Sequence, residues 1–193
     1  MSEAPGAHNP NILPPNIPAP QDDGAARHLS SAKLPDLALP ATTDAGVNLA
    51  KLKGRTVVYI YPRTGVPGVD ALPGWDDIPG ARGCTPQTCA FRDLFAELKA
   101  AGAAQVFGLS TQSNAYQAEM ASRLHLPFPV LSDEKLKLTR ALGLPTMEVA
   151  GLTLIKRLAL IVDDGRIAHV FYPVFPPDRN AGDVLAWLKE NKV

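Results

Sequence analysis

The stretch Gly83-Cys-Thr-Pro-Gln-Thr-Cys-Ala-Phe-Arg-Asp93 carries both cysteines of a 193-residue chain at the start of a predicted helix. Thr85 is the expected N-cap and Pro86 the first helical residue, since proline has a pre-set φ and lacks an N–H that the first turn leaves unused. Phe91, Leu94, Phe95 and Leu98 follow at helical spacing, and Gly102 ends the run. Upstream, Thr56-Val-Val-Tyr-Ile-Tyr61 is β-branched and aromatic, which suits a buried central strand. Between strand and helix, Pro62 to Gly80 holds four prolines and four glycines in nineteen residues. That composition predicts an irregular loop, longer than most connections in a domain of this size.

Working outward, Gln105 to Ser110 reads as a strand, Asn114 to Leu124 as a helix and Phe128 to Leu131 as a short strand. Asp133 to Leu142 is predicted helical, with Gly143 as its stop. Arg157 to Val162 and Arg166 to Phe171 flank the hairpin turn Asp163-Asp-Gly165. Asn180 to Glu190 closes the chain as a helix turning Val184, Leu185 and Leu188 inward. The order β-α-β-α-β-α-β-β-α predicts a three-layer α/β/α sandwich on a mixed sheet, in the thioredoxin-like pattern. Six of the nineteen prolines fall in the first twenty residues, which show no hydrophobic period. Residues 1–30 are therefore expected as an extended or disordered arm, draped through Ile12, Leu13 and Ile17 over a domain at 31–193.

Nineteen basic residues balance nineteen acidic ones, and the pI is 6.9, so no electrostatic footprint for nucleic acid or an anionic membrane is present. Apolar runs such as Thr56 to Tyr61 are too short to span a bilayer. Met1 to Pro20 has neither the basic nor the apolar region of a signal peptide, and a cytoplasmic protein is expected. The four histidines, His8, His28, His125 and His169, form no metal-ligand spacing, and no metal or cofactor is expected.

Two cysteines so close together in a reducing compartment point to redox chemistry or metal before architecture. A bridge closing so short a loop adds little by constraining the unfolded chain. Cys84 sits where unpaired N–H groups and the positive end of the helix dipole favour thiolate, the nucleophilic form. Gly83 leaves room for a small substrate at the backbone. Cys89, five residues on, lies about 140° around the same helix. Its Cα is then more than about 7 Å from that of Cys84, beyond disulfide reach. A bond between them requires the first turns to unwind, so reduced and oxidised forms are expected to differ around 84–92. The spacing is not the C-x-x-C of dithiol oxidoreductases.

The segment Gly83 to Asp93 resembles the peroxiredoxins, and among them the peroxiredoxin Q or bacterioferritin-comigratory-protein group, with its Gly-Cys-Thr-x-x-x-Cys-x-Phe-Arg-Asp signature. Leu34 to Pro40, Leu52 to Pro62, Val106 to Ser110, Leu126 to Asp133 and Arg157 to Ile167 are also similar to that family, in its order. The resemblance implies a thiol peroxidase without cofactor. Cys84 would be the peroxidatic cysteine and Cys89 the resolving one, with a thioredoxin-type reductant resetting their disulfide. Arg157 matches the arginine that orients the peroxide. One departure stands out. The family's proline seven residues before the peroxidatic cysteine and its threonine three before are here Asp77 and Ala81. Pro62 matches the family proline, separated from Cys84 by an insertion at 65–82 containing Trp75, a candidate wall or lid. Thr64 is then the candidate for the peroxide-binding hydroxyl, or a simple loop cap. A thiol–disulfide oxidoreductase and a redox-sensing interaction protein are the rival readings. Local resolution needs no second subunit, so a monomer is expected.

Overall fold

Strand β1 (Arg55–Ile60) is buried along its whole length, as its apolar, β-branched sequence dictates, and lies at the centre of the sheet. The computed structural model describes residues 9–43 and 45–192. The first eight residues of the expected arm, and Asp44 and Val193 of the expected domain, lie outside them. Five strands follow the order β3-β2-β1-β6-β7, with β2 at Gln105–Ser110, β3 at Val130–Ser132, β6 at Leu158–Asp163 and β7 at Arg166–Phe171. The pairs β1–β2 and β2–β3 are parallel, while β1–β6 and β6–β7 are antiparallel, giving the mixed sheet.

The alternation of side chains along β1 divides the interior into two cores. Val57, Tyr59 and Tyr61 face a layer built from α1 (Cys84–Asp93), α2 (Phe95–Ala100), α3 (Asn114–Arg123) and α5 (Asn180–Glu190). Phe91 of α1 stacks on the Tyr59 ring at 4.3 Å, which fixes the helix carrying both cysteines against the sheet centre. Val58 and Ile60 face the opposite layer, formed by α4 (Lys137–Leu142) and the segment that includes Ala26, Leu29, Leu34 and Leu49. This is the thioredoxin-like sandwich the element order predicts.

Several elements differ from the sequence reading. Helix α1 starts at Cys84, and its N-cap is Gly83 rather than Thr85. Gly83 has φ +97°, and a Cβ there would lie 2.3 Å from Pro177 Cγ, so packing against Pro177 selects glycine, and the helix starts two residues earlier. The expected single helix to Gly102 breaks at Leu94 into α1 and α2. Asp133 stands outside α4: its carboxylate accepts from Leu138 N, Thr139 N and Thr139 Oγ1, so it caps the helix that it was expected to begin. A hairpin unforeseen in the sequence, β4 (Thr146–Val149) with β5 (Leu152–Ile155), lies beside the main sheet. Its Ala150-Gly151 turn has φ +49° and +78°, the two positive values that a tight two-residue hairpin requires.

Candidate active site

The start of α1 brings the Cys84 sulfur to the free N–H end of a helix pinned against the sheet. Cys84 is 3% exposed. Arg157, in the short link between β5 and β6, reaches it from 73 residues away, and Nη2 donates to Cys84 Sγ over 3.2 Å. The same nitrogen donates to the carbonyls of Gly80, Ala81 and Arg82 at 3.2, 3.0 and 2.9 Å. The thiol of Cys84 in turn faces Ala81 O at 3.5 Å. Nη1 donates to Gln87 Oε1, and Gln87 Nε2 donates to Asn180 Oδ1 at 2.9 Å. No partner is described for Arg157 Nε.

Arg157 is 3% exposed, and the described acceptors of its guanidinium are carbonyls, an amide and a sulfur. A cation taken out of water is costly unless negative charge develops beside it. The geometry therefore presents the positive guanidinium directly to the Cys84 sulfur. Gln87 and Asn180 were not singled out in the sequence. Gln87 lies three residues after Cys84 and so on the same helix face, a signal readable from spacing; nothing local pointed to Asn180.

Cys89 is half-buried on the same helix, and both cysteines are free thiols. Burial pushes the Cys89 thiol up from its ordinary range, so the intact helix keeps it protonated. Helix α1 is unbroken from Cys84 to Asp93 in this dithiol form.

Pro62 is buried at the end of β1. Thr64 Oγ1 donates to Gln112 Oε1 at 3.1 Å, its N–H donates to the same oxygen at 2.9 Å, and its carbonyl accepts from Tyr116 OH at 2.9 Å. Thr64 thus anchors the start of the insertion. The insertion packs Trp75 and Ala81 against Val149 and Leu154 of the β4–β5 hairpin, so that hairpin is its platform. Between the insertion and residues nearby lies a cavity of about 250 Å³, lined among others by Pro20, Ile78, Gly80, Met147, Arg157 and Tyr172.

A family model described as Redoxin matches residues 29–185. The chain is 31% identical over 188 residues to a chloroplastic peroxiredoxin Q from Sedum lineare, covering 96% of this chain and 91% of that one. The chain belongs to the redoxin family, in its peroxiredoxin Q/Bcp group. Peroxiredoxin Bcp of Escherichia coli strain K12 is 34% identical over 162 residues, covering 81% of this chain and 93% of its own length. The solved structure of peroxidoxin BcpB from Mycobacterium tuberculosis has a TM-score of 0.68 at 26% identity, covering 85% of this chain and 98% of that one. The chain spans 64% of the length of the rice chloroplastic peroxiredoxin Q that it matches. Among the described residues of this peroxiredoxin, no helix is long and apolar enough to cross a membrane.

Proposed function

We propose that this peroxiredoxin is a thiol-dependent peroxidase acting on hydrogen peroxide and organic hydroperoxides through Cys84. The observation that carries the reading is Arg157 Nη2 at 3.2 Å from Cys84 Sγ, at a helix N-terminus that bears a second free thiol. The Cys84 thiolate attacks one oxygen of the peroxide and the O–O bond breaks. Sulfur is oxidised to sulfenic acid, and the departing oxygen takes a proton and leaves as water or alcohol. Arg157 holds the charge as it moves from sulfur to oxygen, which an always-protonated guanidinium does at any physiological pH. The Cys89 thiol then attacks the sulfenic sulfur, an S–S bond forms, and water leaves.

That second step requires the first turns of α1 to open, because residues five apart on one helix do not meet. Opening also returns Cys89 to water, which relieves the burial that holds its thiol up. A thioredoxin-type dithiol reduces the disulfide and restores the helix. The cycle needs no second subunit, since both its cysteines lie in one chain, and we read the protein as a cytoplasmic monomer. Mass spectrometry after one equivalent of hydrogen peroxide tests the assignment. Wild type loses two hydrogens, Cys89→Ser stops at a sulfenic acid on Cys84, and Cys84→Ser is inert. Reaction of Cys84→Ser at wild-type rate would overturn it.

A further inference from the structure

We propose that residues 9–23 form a redox-gated strap, docked across the start of α1 in the dithiol form and released when the Cys84–Cys89 disulfide forms. The proposal rests on the reading of those two cysteines as a disulfide-forming pair.

The segment Gly80 to Gly83 is held from two sides. From within, Arg157 Nη2 takes the carbonyls of Gly80, Ala81 and Arg82. From outside, the strap meets the same residues. Gly80 N donates to Pro18 O at 3.4 Å, and Arg82 Nη2 donates to Asn9 O and Ile12 O, both at 3.4 Å. A Cβ on Gly83 would lie 2.8 Å from Leu13 Cδ1, so Leu13 rests directly on the residue that caps α1. Farther along, Asp23 accepts from Lys156 Nζ at 2.7 Å and from Tyr172 OH at 2.8 Å, beside Arg157.

The strap's bonds to Gly80 and Arg82 are long, unlike the tight core packing of the residues that follow its Asp23 end. Ala26 and Leu29 belong to the main core at 6% and 0% exposure, whereas Ile12 is 59% exposed. The strap is therefore attached at its C-terminal end and seated on the active-site segment by weak bonds. Forming the disulfide unwinds the first turns of α1. The backbone of Gly83 then leaves the conformation against which Leu13 and Pro177 are packed, and the seat is lost. By linkage, a strap that binds the closed conformer opposes the opening that resolution requires.

The chemistry sets what this controls. The Cys84 sulfenic acid can condense with the Cys89 thiol, giving the disulfide and water. It can instead attack a second peroxide, giving sulfinic acid and water or alcohol. Docking slows the first reaction and so lengthens the exposure of the sulfenic acid to the second.

Hydrogen exchange on the full-length chain tests the strap, comparing the dithiol form with the disulfide form made with diamide. The Gly80 amide, whose acceptor is Pro18 O of the strap, is expected to exchange at least about 10-fold faster in the disulfide form. In Leu13→Asn, the rate of disulfide formation after one equivalent of hydrogen peroxide should rise about 3- to 10-fold. Its initial rate of peroxide consumption should stay within about two-fold of wild type, and its sulfinic fraction under excess peroxide should fall. Equal exchange of the Gly80 amide in the two forms overturns the proposal, even if Leu13→Asn does not fold. So does an unchanged rate of disulfide formation in a folded Leu13→Asn. Failure of diamide to link Cys84 and Cys89 overturns it too. A protein that diamide oxidises but peroxide does not would sink the peroxidase reading while leaving the strap to stand on its exchange data.

Discussion

Arg157 meets the sulfur with one nitrogen and Gln87 with another, so the guanidinium is held at both ends of its fork. Replacing Gln87 by leucine removes the acceptor for Nη1 and the donor to Asn180. Gln87→Leu should lower the second-order rate of Cys84 with hydrogen peroxide by about 10-fold, roughly 1.4 kcal/mol of transition-state stabilisation. Stopped-flow traces in the presence of saturating reductant read this directly, and a rate unchanged from wild type would show that Arg157 needs no such support. Thr64 leads to the opposite expectation. Its hydroxyl is engaged by Gln112, whose Oε1 keeps the Thr64 N–H when the hydroxyl is removed. Thr64→Val should therefore leave peroxide turnover within about two-fold while costing about 1 kcal/mol of stability by denaturant titration. A large loss of turnover would place that hydroxyl back in the mechanism.

At the scale of the element, α1 is required to be both firm and breakable. Phe91 stacked on Tyr59 holds its middle, while its first turn depends on Gly83 in a left-handed conformation beneath Pro177. Gly83→Ala meets both a disfavoured φ and a backbone position with no room for a Cβ. It should lower thermal stability by roughly 2–4 kcal/mol, read as a fall in Tm, and fray the turn that carries Cys84. An unchanged Tm would mean that Pro177 moves away at little cost. The start of this helix was nearly legible in the sequence, displaced by two residues because the clash that selects Gly83 comes from Pro177, 94 positions later. The β4–β5 hairpin was missed although its Ala150-Gly151 turn is readable; its Thr146–Val149 strand is half exposed and lacks the dense apolar run that marks β1.

For the whole molecule, the attachment of the strap through Asp23 gives docking a pH window. Hydrogen bonds from Lys156, Ala25 and Tyr172 hold the Asp23 carboxyl well below its ordinary value. A depressed carboxylate contributes docking that is complete above its unfolded value and lost as pH falls through the folded one. Burial, then the neighbouring Asp23 carboxylate, pushes the Tyr172 phenol up, so its contribution is complete below the ordinary phenol value and lost as pH rises through the raised one. Docking should therefore be firm between about pH 4 and about pH 10. Limited proteolysis across that range, cutting within 9–23, should show loosening only below and above it. Asp23→Asn should make the acid limb disappear and increase cleavage at neutral pH; a profile identical to wild type would remove Asp23 from the attachment.

By itself, the sequence determined the central strand, the cysteine-bearing helix, the hairpin around Asp163-Asp-Gly165 and the place of Cys84 at the start of that helix. Each of these is written in local pattern: a β-branched run, helical spacing, turn residues, and a cysteine before a helix start. Resemblance added Arg157. Tertiary structure alone decided that Gln87 and Asn180 join Arg157, that Thr64 turns to Gln112, and that the strap closes over Gly83. The physical reason is sequence separation. Gln87 and Asn180 are 93 residues apart and Thr64 and Gln112 are 48 apart, and no local periodicity encodes a hydrogen bond between groups that only chain folding brings within 3 Å or so.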